Sequence, residues 1–191
     1  MRKTILAMLC MAVACTTSCA QQKQSKNAEQ GNKVLVAYFS ATGNTAKAAK
    51  SLQGATNGEL YAITPEEPYT DADLDWNDKE SRSSVEMNDS ESRPAIKGKI
   101  QDIGENNVLF LGYPIWWDAA PRIINTFIEA HELKGIKIIP FATSGGSDIS
   151  NSVKVLKKTY PELDWSEGKL MNGMDDVDIT KWVDELGYYG W

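Results

Sequence analysis

The stretch Lys33-Val34-Leu35-Val36-Ala37-Tyr38-Phe39-Ser40-Ala41-Thr42-Gly43-Asn44-Thr45 decides how the chain is read. Its first seven residues form a short apolar, β-branched run of the kind that fills a strand buried on both faces, and the run stops abruptly at small polar residues. Ala46 to Leu52 then supplies good helix formers, Gly54 to Gly58 punctuates, and Glu59 to Thr64 reads as a second strand. Strand, helix and strand in that order make the unit from which parallel sheets are built.

The pattern recurs downstream. Val108 to Gly112 is a third apolar strand that runs into Tyr113-Pro114-Ile115-Trp116-Trp117, and Pro121 opens a helix with Ile124, Phe127 and Ile128 on one face. Lys137 to Ala142 is a fourth strand, followed by Thr143-Ser144-Gly145-Gly146-Ser147 and a helical segment from Ile149 to Tyr160. The fifth strand is poorly marked; Lys169 to Asn172 is the best-placed segment for it. In the last helix Ile179, Trp182, Val183 and Leu186 fall at i, i+3, i+4 and i+7, with Asp178 expected as the cap. The fold class expected is α/β: a doubly wound, five-stranded parallel sheet with helices on both faces. Glu66 to Arg93 holds ten acids and three bases without an apolar period, so it reads as a partly irregular excursion over the surface.

Composition narrows the function. The chain has 191 residues, 42% of them hydrophobic, which suits one domain, expected over 33–191. A net charge of −6 disfavours a nucleic-acid partner, which would need clustered Lys and Arg, and no polybasic patch suits a membrane surface. Cys10, Cys15 and Cys19 all precede the domain, which therefore has no disulfide, thiolate nucleophile or cysteine metal site, and His131 is its one histidine. Arg2-Lys3, the apolar run Thr4 to Ala14 and the small residues after it follow the plan of a secretory signal peptide over 1–18. Lipoprotein cleavage before Cys19 is favoured over cleavage before Cys15 or after Ala20. Residues 19–32 then form a polar, flexible tether, and the protein is expected to be exported and held in the cell envelope by a lipid on Cys19, its only link to the membrane.

In an open parallel sheet, ligands bind beyond the carboxyl ends of the strands, where the winding reverses. Three loops stand there. Ser40, Thr42, Gly43, Asn44 and Thr45 offer hydroxyls, a Gly and a helix start, which together suit a phosphate; alternatively the loop is a polar turn with Thr45 in a helix cap. No Lys follows in Walker spacing, so a nucleoside triphosphate with magnesium is disfavoured. Pro114, Ile115, Trp116 and Trp117 place two indoles where a flat ligand could cover them, although at least one is expected to serve the core. Thr143, Ser144, Gly145 and Gly146 let backbone groups approach the polar edge of a ring, or merely make a turn.

Phe39-Ser40-Ala41-Thr42-Gly43-Asn44-Thr45 resembles the phosphate loop of flavodoxins, which bind flavin mononucleotide (FMN) on a five-stranded sheet of order 2-1-3-4-5. Glu59 to Ile63, Pro68 to Trp76, Gly112 to Trp117 and Thr143 to Ser147 are similar to a bacterial flavodoxin-like subfamily, so the likeness spans nearly all of the domain. The resemblance implies that Ser40, Thr42, Gly43, Asn44 and Thr45 hold the phosphate. It also implies that Pro114, Ile115, Trp116 and Trp117 border the flavin ring, and that Thr143, Ser144, Gly145 and Gly146 meet its pyrimidine edge or the ribityl chain. Asp118 and Asp148 depart from the pattern, standing where small residues, often Gly, are common; a carboxylate near the ring would lower its reduction potential.

The function implied is that of an FMN-binding redox protein, either an electron carrier or a flavin-dependent oxidoreductase using a nicotinamide or a quinone. Its partner would be a redox protein or a small-molecule electron acceptor. The acidic excursion reads first as a solvated face and second as a surface that steers a basic partner. The contrasting function is that of a lipid-anchored, non-enzymatic binding protein that keeps a flavodoxin scaffold for another ligand.

Overall fold

A computed structural model describes residues 33–187. The expected signal peptide, the tether, the lipidated Cys19 and residues 188–191 lie outside them. The elements are β1 (Val34–Tyr38), α1 (Asn44–Thr56), β2 (Glu59–Ala62), α2 (Arg82–Asn88), β3 (Val108–Pro114), α3 (Arg122–Ala130), β4 (Lys137–Thr143), α4 (Ser150–Thr159), β5 (Asp164–Trp165), β6 (Lys169–Leu170) and α5 (Asp176–Glu185), with a 3-10 turn at Ile103–Glu105. All pairings among the strands are parallel, in the order β2-β1-β3-β4-β5, with β6 also on β4. The doubly wound sheet expected from the strand–helix alternation is the one observed.

The near-continuous apolar strands are explained by two cores, one on each face of the sheet. Leu35, Ala37, Leu109, Leu111 and Ile138 point to the side of α3 and α4, joining Ile124, Phe127, Val153 and Leu156. Their neighbours Val34, Val36, Val108, Phe110 and Ile139 point the other way, joining Leu52 of α1 and Ile179, Trp182 and Val183 of α5. Successive residues of a strand face opposite sides, so a strand covered on both faces must be apolar at every position.

The fifth strand is broken rather than continuous over Lys169–Asn172. Its two pieces pair with the two ends of β4, Asp164–Trp165 against Lys137 and Ile138, and Lys169–Leu170 against Phe141 and Ala142. Ser166 N–H donates to Ile138 O at 2.8 Å and Met171 N–H to Ala142 O at 2.8 Å, so the even-numbered residues of β4 direct their backbone groups to this edge. Pro140 stands between them with no N–H to offer, and the break lies opposite it. At the break Gly168 passes so close to Ile149 and Val153 of α4 that a Cβ would overlap both side chains.

Other boundaries differ from expectation for local reasons. Helix α1 begins at Asn44 and runs through Gly54 to Thr56, because Gly54 lies on the exposed side and the chain reverses only at Asn57, whose φ is +52°. Strand β2 ends at Ala62, two residues early. The cap of α5 is Asp175, not Asp178: Asp175 accepts from Val177 N–H and Asp178 N–H, both at 2.9 Å, while Asp178 returns a contact to Asp175 N–H, closing a capping box.

The acidic excursion is closed at its base by a Pro65–Ile96 antiparallel bridge and contains α2. Glu86 of α2 is buried, and accepts from Tyr69 Oη at 2.5 Å and from Arg82 Nε at 2.7 Å. The Arg82 guanidinium lies 4.0 Å from the centre of the Tyr69 ring. Burial, reinforced by the Glu86 carboxylate, pushes the Tyr69 phenol far up, so it stays protonated and donates.

His131 ends α3 and fastens the segment that follows the excursion. Its Nδ1 lies 2.7 Å from Phe127 O and its Nε2 accepts from Ile100 N–H at 3.0 Å, a pair of bonds that requires the neutral Nδ1–H tautomer. Burial is the main cause that lowers its pKa below the ordinary imidazole value. The unfolded chain therefore binds the extra proton first, and stability contributed by neutral His131 is complete above about pH 6.5 and lost as pH falls toward the lower folded value. Urea midpoints measured from pH 7.5 to 5 are expected to fall through this window, and His131→Ala to be less stable at pH 7.5 with a shallower fall.

Candidate functional site

Strand register brings the three loops together. Tyr38 pairs with Gly112 and Gly112 with Phe141, so the segments after β1, β3 and β4 emerge side by side at one end of the sheet. Thr143 ties them: its hydroxyl lies 2.8 Å from Thr45 Oγ1, and its carbonyl accepts from Ile115 N–H at 2.8 Å.

The first loop ends at a helix with an open start. Gly43 is the N-cap of α1 with φ +91°, and no side chain caps the helix. The first intrahelical bond is Lys47 N–H to Gly43 O at 3.0 Å, so the amides of Asn44, Thr45 and Ala46 have no partner within the helix. The Thr45 hydroxyl is buried against Thr143 and does not act as a cap; Ser40 Oγ accepts from Gly43 N–H at 3.1 Å and holds the turn. Thr42, Gly43 and Asn44 are exposed at the mouth of the loop. Thr45 is therefore no part of a helix cap, and the polar turn leaves a cluster of uncharged donors at the start of α1.

The two indoles of the second loop have separate roles. Trp116 packs edge-on against Phe39 at 5.7 Å and Tyr69 at 5.4 Å, which makes it the structural member of the pair. Trp117 is 50% exposed at the tip of a tight turn. Trp116 N–H donates to Ala119 O at 3.0 Å and Ala119 N–H to Trp116 O at 2.9 Å, while Trp117 and Asp118 take φ +45° and +62°. Positive φ at both central residues is the geometry of a type I′ turn, which favours Asn and Gly. That is why a Gly suits position 118 and why a Trp at 117 is strained.

The third loop is largely self-satisfied. Ser144 Oγ accepts from Gly146 N–H at 3.0 Å and Ser147 N–H at 2.7 Å, and the Asn172 side chain holds both the N–H and the carbonyl of Ser144. Among the described residues Gly145 N–H is left as the loop's unpaired amide. Asp148 is engaged with the start of α4: it accepts from Ser150 N–H at 2.8 Å and from Ser150 Oγ, bonds that hold its carboxyl below the usual range. Asp118 likewise borders neither cavity described next.

Two adjoining cavities open here. One of about 590 Å³ lies between Trp117, Pro114 and Ile115 on one side and Ser144 to Ser147 on another. The other, about 850 Å³, runs from Thr42 and Asn44 past Lys47 to Met171–Asp176 at the start of α5. They share Thr42, Pro114, Ile115, Trp116, Ser144 and Gly145, and both volumes fall in the range of about 300–1,000 Å³ typical of small-molecule sites. The wall of the smaller one includes Leu74, Trp76 and Ser83 of the excursion, which the sequence reading left out of the site. Trp76, 72% exposed, was the available signal, since large apolar rings are seldom left in water without use. A further cavity of about 660 Å³ opens at the opposite end, beside Lys33 and Glu59 where the strands begin, away from the loops that end them. Among the described residues no group of acidic, His or Cys side chains could hold a metal ion, and no helix is long and apolar enough to cross a membrane.

This arrangement sets neutral anion donors beside an apolar slot at the switch point of a doubly wound sheet. The sequence profile of the flavodoxin family matches residues 33–186, and the chain belongs to that family. It is similar to a candidate flavoprotein of Bacteroides eggerthii, with 63% identity over 82% of this chain and 98% of that one and a TM-score of 0.79. A candidate flavoprotein of Bacteroides uniformis is 53% identical over 81% and 99%, also with a TM-score of 0.79. A flavoprotein of Lactobacillus acidophilus, solved in complex with FMN, shares the fold at 22% identity over 80% and 99%, TM-score 0.64. No curated protein matches the chain.

The left-handed pair at the turn yields a test. Asp118→Gly is expected to raise stability by up to about 1 kcal/mol, because Gly adopts φ +62° without the Cβ clash and gives back part of that gain in unfolded-chain entropy. A lower urea midpoint would show that the Asp118 side chain does more than tolerate the turn.

Proposed function

We propose that the chain binds FMN and works as a redox protein, either passing electrons to a partner protein or reducing a small molecule such as a quinone. The observation that carries this reading is the uncapped, uncharged amide cluster at the start of α1, opening beside an apolar slot at the tip indole of the β3–α3 loop. A phosphate dianion fits such donors, and a flat ring fits Trp117 with Pro114 and Ile115. That a Lactobacillus relative in fold is solved with FMN supports the same assignment.

FMN supplies one- and two-electron chemistry when bound, and the protein supplies position and electrostatics. The amides of Asn44, Thr45 and Ala46 with the Thr42 hydroxyl would hold the phosphate. Trp117 would cover the ring and keep water from one face, and Gly145 N–H is available to its polar edge. Electron transfer itself requires no acid or base from the protein, because the flavin carries the redox chemistry. Asp118 and Asp148 line neither cavity, so their carboxylates would not touch a ring held there. Export and attachment to the envelope through Cys19 complete the proposal and rest on the N-terminal sequence.

Purified protein titrated with FMN is expected to show saturable quenching of Trp fluorescence at about micromolar concentration. Thr42→Asp should weaken binding on the order of a hundredfold or more by setting a carboxylate against the phosphate. Trp117→Ala should weaken it about tenfold. Absence of quenching in the wild-type protein would favour a non-enzymatic binding protein for another ligand. Where FMN binds, oxidation of NADH or NADPH with a quinone present distinguishes a reductase from a carrier.

A further inference from the structure

Ser83 stands apart within an otherwise satisfied polar network. It is 2% exposed, yet its Oγ has no hydrogen-bond partner among the described residues. Its neighbours are all engaged: Ser81 Oγ with Ser84 Oγ at 2.9 Å, Ser84 Oγ with Asp78 O at 2.6 Å, and Arg82 and Tyr69 with Glu86. Buried hydroxyls are almost always paired, because losing water without gaining a partner is unfavourable. The other unpaired buried hydroxyl, Thr126 of α3, borders none of the cavities at the loop end of the sheet. Ser83 does border one, the smaller cavity, on the wall it shares with Leu74 and Trp76 opposite the turn of Trp117.

That wall is held in place. Ser83 N–H donates to Asp73 O at 2.9 Å, and Arg122, at the start of α3, donates to Glu86 O at 3.4 Å and Met87 O at 3.1 Å at the end of α2. The excursion is thus tied to the element that follows the Trp117 turn, and the backbone that carries Ser83 is set before any ligand arrives, so that a turn of its side chain is enough to offer the hydroxyl to the cavity.

We infer that Ser83 is a ligand-contacting residue whose hydroxyl exchanges its missing hydrogen bond with a polar atom of the bound flavin ring, so that α2 forms a further wall of the cofactor site. A hydroxyl can donate to a ring carbonyl or unprotonated nitrogen, or accept from a ring N–H. The inference rests on the FMN reading above and extends it to an element outside the three strand-end loops.

A residue of this kind has an unusual signature: its removal leaves the free protein no worse and the complex weaker. In Ser83→Ala the FMN dissociation constant, from Trp quenching, is expected to rise roughly three- to tenfold. Without FMN the urea midpoint of the same variant should be unchanged or higher. Ser83→Cys, close in size with a weaker donor, should bind with intermediate affinity. An unchanged dissociation constant in Ser83→Ala, with the wild type binding normally, overturns the inference alone. A lowered midpoint in the absence of FMN also overturns it, by showing that the hydroxyl has a partner in the protein. Failure of the wild type to bind FMN overturns the parent reading, and this one with it.

Discussion

Covering both faces of the three central strands leaves only their ends for polar chemistry. β1, β3 and β4 are apolar at nearly every position, so no side chain along them is free to meet a polar ligand. The in-phase register then delivers three loops to one place, and Thr143 joins them through its hydroxyl to Thr45 and its carbonyl to Ile115. The polar part of the loops after β1 and β4 is therefore built from backbone amides and small hydroxyl residues. Such groups are rigid because the strands behind them are, and they bring no charge that must be neutralised when no ligand is bound.

Much of this was legible in the residues. Continuous apolar strands alternating with amphipathic helices imply a sheet covered twice, and the loop Ser40 to Thr45 stood out because hydroxyls and a Gly directly preceded good helix formers. The strand-end loops come together as expected. The sequence did not show how the hydrogen bonds would be distributed: most of the polar capacity of Thr143 to Gly146 is spent on Thr45, Ile115, Asn172 and the loop itself. Such partners lie far apart in the chain, so no local pattern reveals them. The excursion was read by its charge, which conceals that Tyr69, Arg82 and Glu86 form an inward-facing network. Its contribution to the site came from Trp76 and Ser83, residues with no periodicity to announce them.

The adjacent indoles illustrate a division of labour that a dipeptide cannot display. The ring of Trp116 is fixed among Phe39 and Tyr69, while the ring of Trp117 is carried outward by two left-handed residues. Strain of this type persists only where surrounding contacts enforce it, here the paired Trp116–Ala119 bonds and the Asn151 side chain that donates to Asp118 O at 3.0 Å. The turn holds a large apolar surface away from the core, where a ligand can use it.

The interruption opposite Pro140 bears on how these molecules behave when crowded together. An edge strand with a long row of free amides and carbonyls invites another chain to add to the sheet. Here one margin consists of two short pieces separated by Ser166, Glu167 and Gly168, and the other is a strand of four residues that begins with Glu59. Neither margin offers a straight template, so the sheet is poorly suited to recruit strands from its neighbours. The proline that spoils one strand thereby helps to protect the molecule against aggregation.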